Sequence, residues 1–285
     1  MISVLAMGVG LMVGAAAMPN PSTRMSVQVD GRDRTFLVDQ PKNLRPGAGL
    51  ILVWHGFGSN ATEQRDFAGF TPLVESSGYV FAYPDGWPNA EGKPNHQVEY
   101  KFQDRSIDDI KFAYSIINKL KADLGINPDL VFSTGMSNGA DMSYYLARQA
   151  KPLVRAIAPV AGCMMNQWKE YPVASRMAIM EVHGTADTVT KWAGDPNDKD
   201  GWGPYLGTDA VMDFWVKRLR LVAQPVQKEG KIQLCRYSAP TGSAEFLLYV
   251  IEGGGHDWPK NLGNPKKTTA QEIVDFFNRH RPRKG

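Results

Sequence analysis

From about residue 24 onward, short apolar runs alternate with segments whose apolar residues recur every three or four positions. Leu50-Ile51-Leu52-Val53-Trp54 is a continuous apolar run of strand length, the pattern of a strand buried on both faces. Tyr79 to Tyr83, Leu130 to Thr134, Ala156 to Val160, Met177 to Val182 and Phe246 to Ile251 share that character. Between them, Ile107, Ile110, Ala113, Tyr114, Ile117, Leu120 and Leu124 recur at helical spacing. A second helix, Ala140 to Ala150, follows Ser137. A third begins near Thr208, with Val211, Met212, Trp215 and Leu219 on one side. A fourth begins near Thr269, where Thr269 and Glu272 form a capping-box pattern before Ile273, Val274 and Phe277. Ser26 to Val29 and Arg34 to Val38 flank Asp30-Gly31, a hairpin signal. An N-terminal antiparallel hairpin followed by alternating strands and helices predicts an α/β fold with a mostly parallel central sheet and helices on both faces. With no internal repeat or low-complexity linker, residues 24–285 read as a single domain. Two segments look irregular: Asp85 to Asp104, rich in Pro, Gly and Asn, and Thr188 to Gly207. Each is either a binding loop or surface decoration.

Charge excludes some functions. The net charge is +3, and basic residues cluster only at Arg279 to Lys284. That short tail reads as a solvated end, so a nucleic-acid partner is not expected. The two cysteines, Cys163 and Cys235, have no metal-type spacing and are either one bridge or two packed thiols. Met1 to Met18 is apolar and uncharged, Ala15-Ala16-Ala17 offers small residues for cleavage, and Pro19-Asn20-Pro21 breaks any helix. Residues 1–23 therefore read as a signal segment, although no Lys or Arg precedes the apolar run. The run is short for a membrane span, which needs about 20 apolar residues, so stable membrane insertion is not expected.

The candidate chemistry centres on Gly135-Met136-Ser137-Asn138-Gly139, a G-x-S-x-G pattern. An apolar strand leads into it and a helix leaves it, the strand–turn–helix setting that projects a serine above a sheet. The Asn138 N–H at the helix start is placed to stabilise an oxyanion. A serine hydroxyl needs a base. Of five histidines, His55 and His183 end apolar strands and read as packing residues, His96 sits in a polar loop and His280 in the basic tail. His256 follows the last strand through Gly253-Gly254-Gly255 and is the candidate base. The acid should follow a strand between the serine and the histidine, and Asp187 fits better than Asp195, Asp198 or Asp200. Asp141, in the helix after the serine, reads as a surface charge. A second oxyanion donor should come from His55-Gly56-Phe57-Gly58-Ser59-Asn60, with Phe57 N–H the first choice and Gly58 next.

Taken in order, Val53-Trp54-His55-Gly56-Phe57-Gly58-Ser59-Asn60-Ala61, Tyr83-Pro84-Asp85-Gly86-Trp87, Ile107-Asp108-Asp109-Ile110, Gly135 to Gly139, Val182-His183-Gly184-Thr185-Ala186-Asp187 and Gly253-Gly254-Gly255-His256-Asp257-Trp258-Pro259 resemble the polyhydroxybutyrate depolymerase-like esterases. That group includes feruloyl and acetylxylan esterases of the family-one carbohydrate esterase type. The resemblance spans about Val27 to His280. It implies an α/β-hydrolase fold and a secreted or periplasmic carboxylic ester hydrolase with no metal and no organic cofactor. It carries the nucleophile to Ser137, the acid to Asp187 and the base to His256. One departure matters: many relatives pair two cysteines around the segment matching Arg218 to Ser238, where this chain has only Cys235. The expected partner is an ester, polysaccharide-linked or polymeric. Feruloyl or acetyl esters of plant cell wall lead, with hydroxyalkanoate oligomers next. Trp87, Trp192, Trp202, Tyr205 and Trp258 are candidates to stack on a ring. A non-catalytic carbohydrate-binding protein retaining the fold is the alternative of another class. A serine peptidase of this fold is a third, but the chain has no room for the propeller such enzymes usually carry.

Overall fold

The structure is a computed structural model that describes residues 22–149, 151–173 and 176–282. The expected signal segment lies outside the described residues except for its last two positions. So does Ala150, the expected end of the second helix.

β1 (Thr23–Val29) and β2 (Arg32–Asp39) form the expected hairpin. Its turn residues Asp30 and Gly31 both take positive φ, 49° and 76°, which matches a two-residue turn to the strands' twist. The wholly buried β3 (Leu50–Trp54) and β4 (Val80–Pro84) follow. Next come β5 (Val131–Met136), β6 (Ala156–Val160) and β7 (Ala178–Gly184). Last are β8 (Val222–Ala223), β9 (Gln227–Glu229), β10 (Ile232–Ser238) and β11 (Glu245–Ile251). Among the described residues these eleven strands make one sheet in the order β1-β2-β4-β3-β5-β6-β7-β11-β10-β8, with β9 on β10. The central run from β4 to β11 is parallel, and antiparallel strands flank both sides. β8, β9 and β10 carry few fully buried side chains, so no apolar run marks them.

Five longer helices cover the sheet: α1 (Ala61–Ala68), α2 (Asp109–Leu124), α3 (Asn138–Ala147), α4 (Thr208–Leu219) and α5 (Thr269–Arg279). On one face, Phe112 and Ile116 of α2, Met142 of α3 and Trp215 of α4 join Trp54 and Phe246 in one core. On the other face, Ile273 and Phe277 of α5 and Ala61 of α1 join Val53, Phe81 and Phe132. The two apolar layers explain why the central strands are apolar at every position rather than at alternate ones.

Two terminal details correct the expectations. The α5 cap is Thr268, not Thr269: the Thr268 hydroxyl accepts from Gln271 N, while the buried Thr269 turns its hydroxyl to Pro259 O. His280 is not in a solvated tail. It is buried, and its Nε2 lies 2.7 Å from Glu245 Oε1 at the start of β11, which ties the end of α5 to the sheet.

Because the central strands run the same way, the loops after β3, β5, β7 and β11 gather along one edge of the sheet, where this architecture builds its sites.

Candidate active site

Ser137 occupies the turn between β5 and α3 with φ 56° and ψ −124°, a strained backbone for a residue bearing a β-carbon. The turn is held by Ser137 N–H donating to Val160 O at 3.0 Å and by Asp141 N–H donating to Ser137 O at 3.0 Å. Both pattern glycines are dictated by contact. A β-carbon on Gly139 would lie 2.2 Å from Trp54 O, and one on Gly135 would lie 2.5 Å from the same atom. Only bare backbone lets β5 and α3 approach β3 this closely.

Asp187 and His256 are brought together by two loops joined through their backbones. Thr185 N–H donates to Ile251 O at 3.0 Å, Ala186 N–H to Gly254 O at 2.8 Å, and Gly253 N–H to the Thr185 hydroxyl at 2.9 Å. A β-carbon on Gly184 would meet Gly254 O at 2.3 Å, so the Asp187 loop needs glycine at the crossing. His256 Nδ1 then lies 2.8 Å from Asp187 Oδ2, while Asp187 Oδ1 accepts from Val189 N and Thr190 N at 2.8 and 2.9 Å. Burial alone would raise the Asp187 pKa. Hydrogen bonds from His183 and His256 outweigh it and hold the carboxylate well below its usual range. Ser137 and His256 line the same cavity but are not hydrogen-bonded to each other. His256 Nε2 has no partner among the described residues.

His183 is more than packing. Its Nε2 faces Thr190 O at 2.8 Å and Asp187 Oδ2 at 3.5 Å, and its Nδ1 faces Glu181 Oε1 at 3.1 Å. Burial works to lower its pKa, but the bonds to Asp187 and Glu181 raise it to about 10. The buried His183 ring thus backs the Asp187 carboxylate.

The oxyanion-hole candidates sit on spent and unspent donors. Gly58 N–H, the second choice, is consumed by Pro94 O at 2.8 Å. Phe57 N–H and Asn138 N–H have no partner among the described residues. His55 braces the Gly56–Phe57 peptide: Gly86 N–H donates to His55 Nε2 at 2.8 Å, so the ring proton is on Nδ1, which donates to Gly56 O at 2.6 Å. Ser59 N–H also reaches Gly56 O, at 3.2 Å. Burial lowers the His55 pKa, in keeping with a neutral ring. The Asn138 side chain clamps His96, accepting from its N–H at 2.7 Å and donating to its carbonyl at 3.0 Å. His96 is therefore not a polar-loop residue; it is fully buried, 4.3 Å centroid to centroid from His55.

The cavity at Ser137 and His256 measures about 310 Å³. Its walls include Phe57, Tyr100, Trp202 and Tyr205, and Asp141 and Cys163 are also in contact with it. The two irregular segments build much of it: Lys101 N–H donates to Trp202 O at 2.9 Å, and the Trp202 ring packs edge-on to Phe57 and Tyr100. Asp141 is not a surface charge. It is 2 % exposed, accepts from the Tyr100 hydroxyl, and accepts from Cys163 N at 2.6 Å. Burial raises its pKa to about 7, against the opposing effect of those hydrogen bonds. Its spacing of four residues from Ser137 puts it one helical turn on, a signal that charge alone obscured.

Of the four tryptophans expected at a substrate, Trp202 lines this cavity. Trp258 is 9 % exposed and packs on Phe70. Trp192 lies edge-on to His183 and bonds Asp209, and Trp87 lies under Arg32 and Arg34. The cysteines are both free, Cys163 buried and Cys235 half-buried. Among the described residues no group of His, Cys, Asp and Glu is arranged to hold a metal, and no helix is long and apolar enough to cross a membrane.

No family model matches the chain. Feruloyl esterase D of Neurospora crassa is 28% identical over 275 residues, covering 90% of this chain and 85% of that protein. A bifunctional acetylxylan esterase/xylanase of Neocallimastix patriciarum is 26% identical over 162 residues, covering 57% of this chain and 22% of that protein. Among solved structures, an acetyl xylan esterase from Aspergillus awamori superposes with a TM-score of 0.64 at 13% identity, covering 90% of this chain and 99% of that one. The Bacillus cereus carboxylesterase gives 0.55 at 12% identity, covering 87% and 95%. The chain has the fold of these solved esterases, and in sequence it is similar to proteins named feruloyl esterase and acetylxylan esterase.

Proposed function

We propose that the chain is a serine carboxylic-ester hydrolase in which Ser137 is the nucleophile, His256 the general base and Asp187 the residue that orients His256. The observation that carries this reading is the 2.8 Å contact between His256 Nδ1 and Asp187 Oδ2 beside a cavity that Ser137 shares. With Nδ1 committed to Asp187, the lone pair of the neutral ring is on Nε2, ready for the serine proton. A nucleophile–base bond is commonly long before substrate enters and tightens in the complex. Ser137 Oγ attacks the ester carbonyl, His256 takes its proton and passes it to the departing alcohol, and water then hydrolyses the acyl-enzyme by the same route. The N–H groups of Phe57 and Asn138 hold the oxyanion.

The substrate reading is a feruloyl or acetyl ester of plant cell-wall polysaccharide. Support comes from the sequence relatives and from the aromatic walls of the cavity, which suit a flat acyl group. Export belongs to the same proposal and rests on the apolar, uncharged Met1 to Met18. The test is hydrolysis of methyl ferulate, acetylated xylan, p-nitrophenyl acetate and a hydroxybutyrate oligomer by wild type and Ser137→Ala. Turnover of ferulate or acetylxylan that disappears in a folded Ser137→Ala protein supports both parts. Cleavage of the hydroxybutyrate oligomer alone moves the substrate. Retained activity in Ser137→Ala, or no labelling by a fluorophosphonate probe, overturns the nucleophile.

A further inference from the structure

The two backbone groups placed for an oxyanion follow adjacent strands, Phe57 N–H after β3 and Asn138 N–H after β5. Among the described residues no hydrogen bond joins residues 56–60 directly to residues 137–139. A third segment links them. Pro94 O takes the N–H of Gly58, the neighbour of Phe57, at 2.8 Å. Two residues on, the Asn138 side chain grips the His96 backbone, at 2.7 Å through its N–H and 3.0 Å through its carbonyl. Gln103 in turn holds this segment. It is 8 % exposed and uses every hydrogen-bonding position of its amide there. Its Nε2 donates to Asn95 Oδ1 and to His96 O, each at 2.6 Å. Its Oε1 accepts from Val98 N and Tyr100 N, each at 2.9 Å. These backbone partners set the orientation of the amide, since turning it over would oppose N–H to N–H and O to O. Asn95 cannot turn to suit a changed partner either, because its Nδ2 donates to Trp87 O and Lys93 O at 3.2 and 3.1 Å. A buried network satisfied in this way rigidifies what it joins.

We propose that Gln103 is a positioning residue for ester cleavage: by holding Asn95 and His96 it sets the spacing of the Phe57 and Asn138 N–H groups. The inference rests on Ser137 being the nucleophile and on those two groups being its oxyanion donors. Gln103 does not line the cavity at Ser137 and His256, so it acts through the residues it holds. Spacing matters because both donors must come within about 2.7–3.1 Å of one developing oxyanion, and a shift of either leaves it with a single partner. The two halves of the amide have separate tasks. The Nε2 half serves the oxyanion donors through Asn95 and His96. The Oε1 half serves the cavity wall, because Tyr100 lines the cavity and its hydroxyl donates to Asp141.

The test compares wild type, Gln103→Glu and Gln103→Met, all in the full chain, on p-nitrophenyl acetate and methyl ferulate. Each kcat is referred to the sites that a fluorophosphonate probe labels at completion, so that unfolded protein is not counted. Gln103→Glu keeps an acceptor for Val98 and Tyr100 but loses at least one of the two donors. Its kcat should fall about 10- to 100-fold, by the same factor on both esters, with KM within about twofold, because loosened oxyanion donors act on the transition state and not on acyl contacts. Gln103→Met loses both halves. Its kcat should fall at least as far, and its KM for ferulate should rise relative to acetate as the Tyr100 wall slackens. A residue of purely structural weight would lower urea stability and leave kcat per labelled site unchanged. A kcat per site within about threefold of wild type in either variant, or a loss confined to KM, overturns the positioning role while leaving the nucleophile in place. A wild type that cleaves neither ester and takes no label removes the nucleophile reading, and this role with it.

Discussion

His55 offers a way to test the oxyanion hole without touching either donor. It holds the Gly56–Phe57 peptide with Nδ1–H and receives Gly86 N–H on Nε2, and the two tasks sit on different atoms. His55→Gln puts an amide oxygen near the Nε2 position, so it keeps Gly86 and drops Gly56. His55→Asn puts an amide nitrogen near Nδ1, so it keeps Gly56 and strands Gly86. Removing an oxyanion donor outright costs about 10²–10³ in kcat, so a peptide that is loosened rather than lost should cost about 10- to 100-fold. His55→Gln should show that loss in kcat, with little change in KM and about 1 kcal/mol less stability for one hydrogen bond. His55→Asn should keep kcat within about threefold and lose about 1–3 kcal/mol for the stranded N–H. Steady-state kinetics on an activated ester and urea denaturation read both numbers. Equal kcat values in the two variants, or a Gln variant whose defect is confined to KM, would refute the bracing role.

Other outcomes follow from the same geometry. Asp187→Asn should lower kcat by about four orders of magnitude, as expected when the orienting acid can no longer fix the histidine tautomer, with the fold intact by circular dichroism; a loss under tenfold would count against Asp187. Gly139→Ala drives a β-carbon to 2.2 Å from Trp54 O, so it should cost at least about 1–3 kcal/mol by overpacking and displace Ser137; unchanged melting and kcat would contradict the close approach. Asp141 has a folded pKa near 7 against 3.8 unfolded, so the native state binds the extra proton. Its contribution is fully present below about pH 4 and is lost as pH rises through about 7, a change of about 4 kcal/mol. Asp141→Asn should flatten that fall, measured as urea stability at pH 4.5 and 8; parallel pH profiles would refute the buried carboxyl.

The parts of this molecule that were legible in sequence are those set by one local rule. β3 and β6 match their apolar runs end to end, because burial on both faces leaves no polar position to blur the limits. The elbow was legible because two glycines and a serine answer a single steric demand. β8 to β10 were not, since their half-exposed residues give neither an apolar run nor a clean alternation. Histidines and acids were harder still. His96, His280 and Asp141 lie in polar stretches, yet their burial depends on partners up to 42 residues away, Asn138, Glu245 and Tyr100, which no window of sequence contains. Trp258 erred the other way: an aromatic beside His256 looked like a binding surface and is a wedge against Phe70.

The joined loops after β7 and β11 have a practical meaning for redesign. Thr185, Ala186, Ile251, Gly253 and Gly254 bolt the Asp187 loop to the His256 loop, while Ser137 stands at the end of a separate strand. The two loops are thus one replaceable cartridge. Grafts from a related protein should succeed only when both are exchanged together, and a single-loop chimera should misplace His256 even if Ser137, Asp187 and His256 are all present.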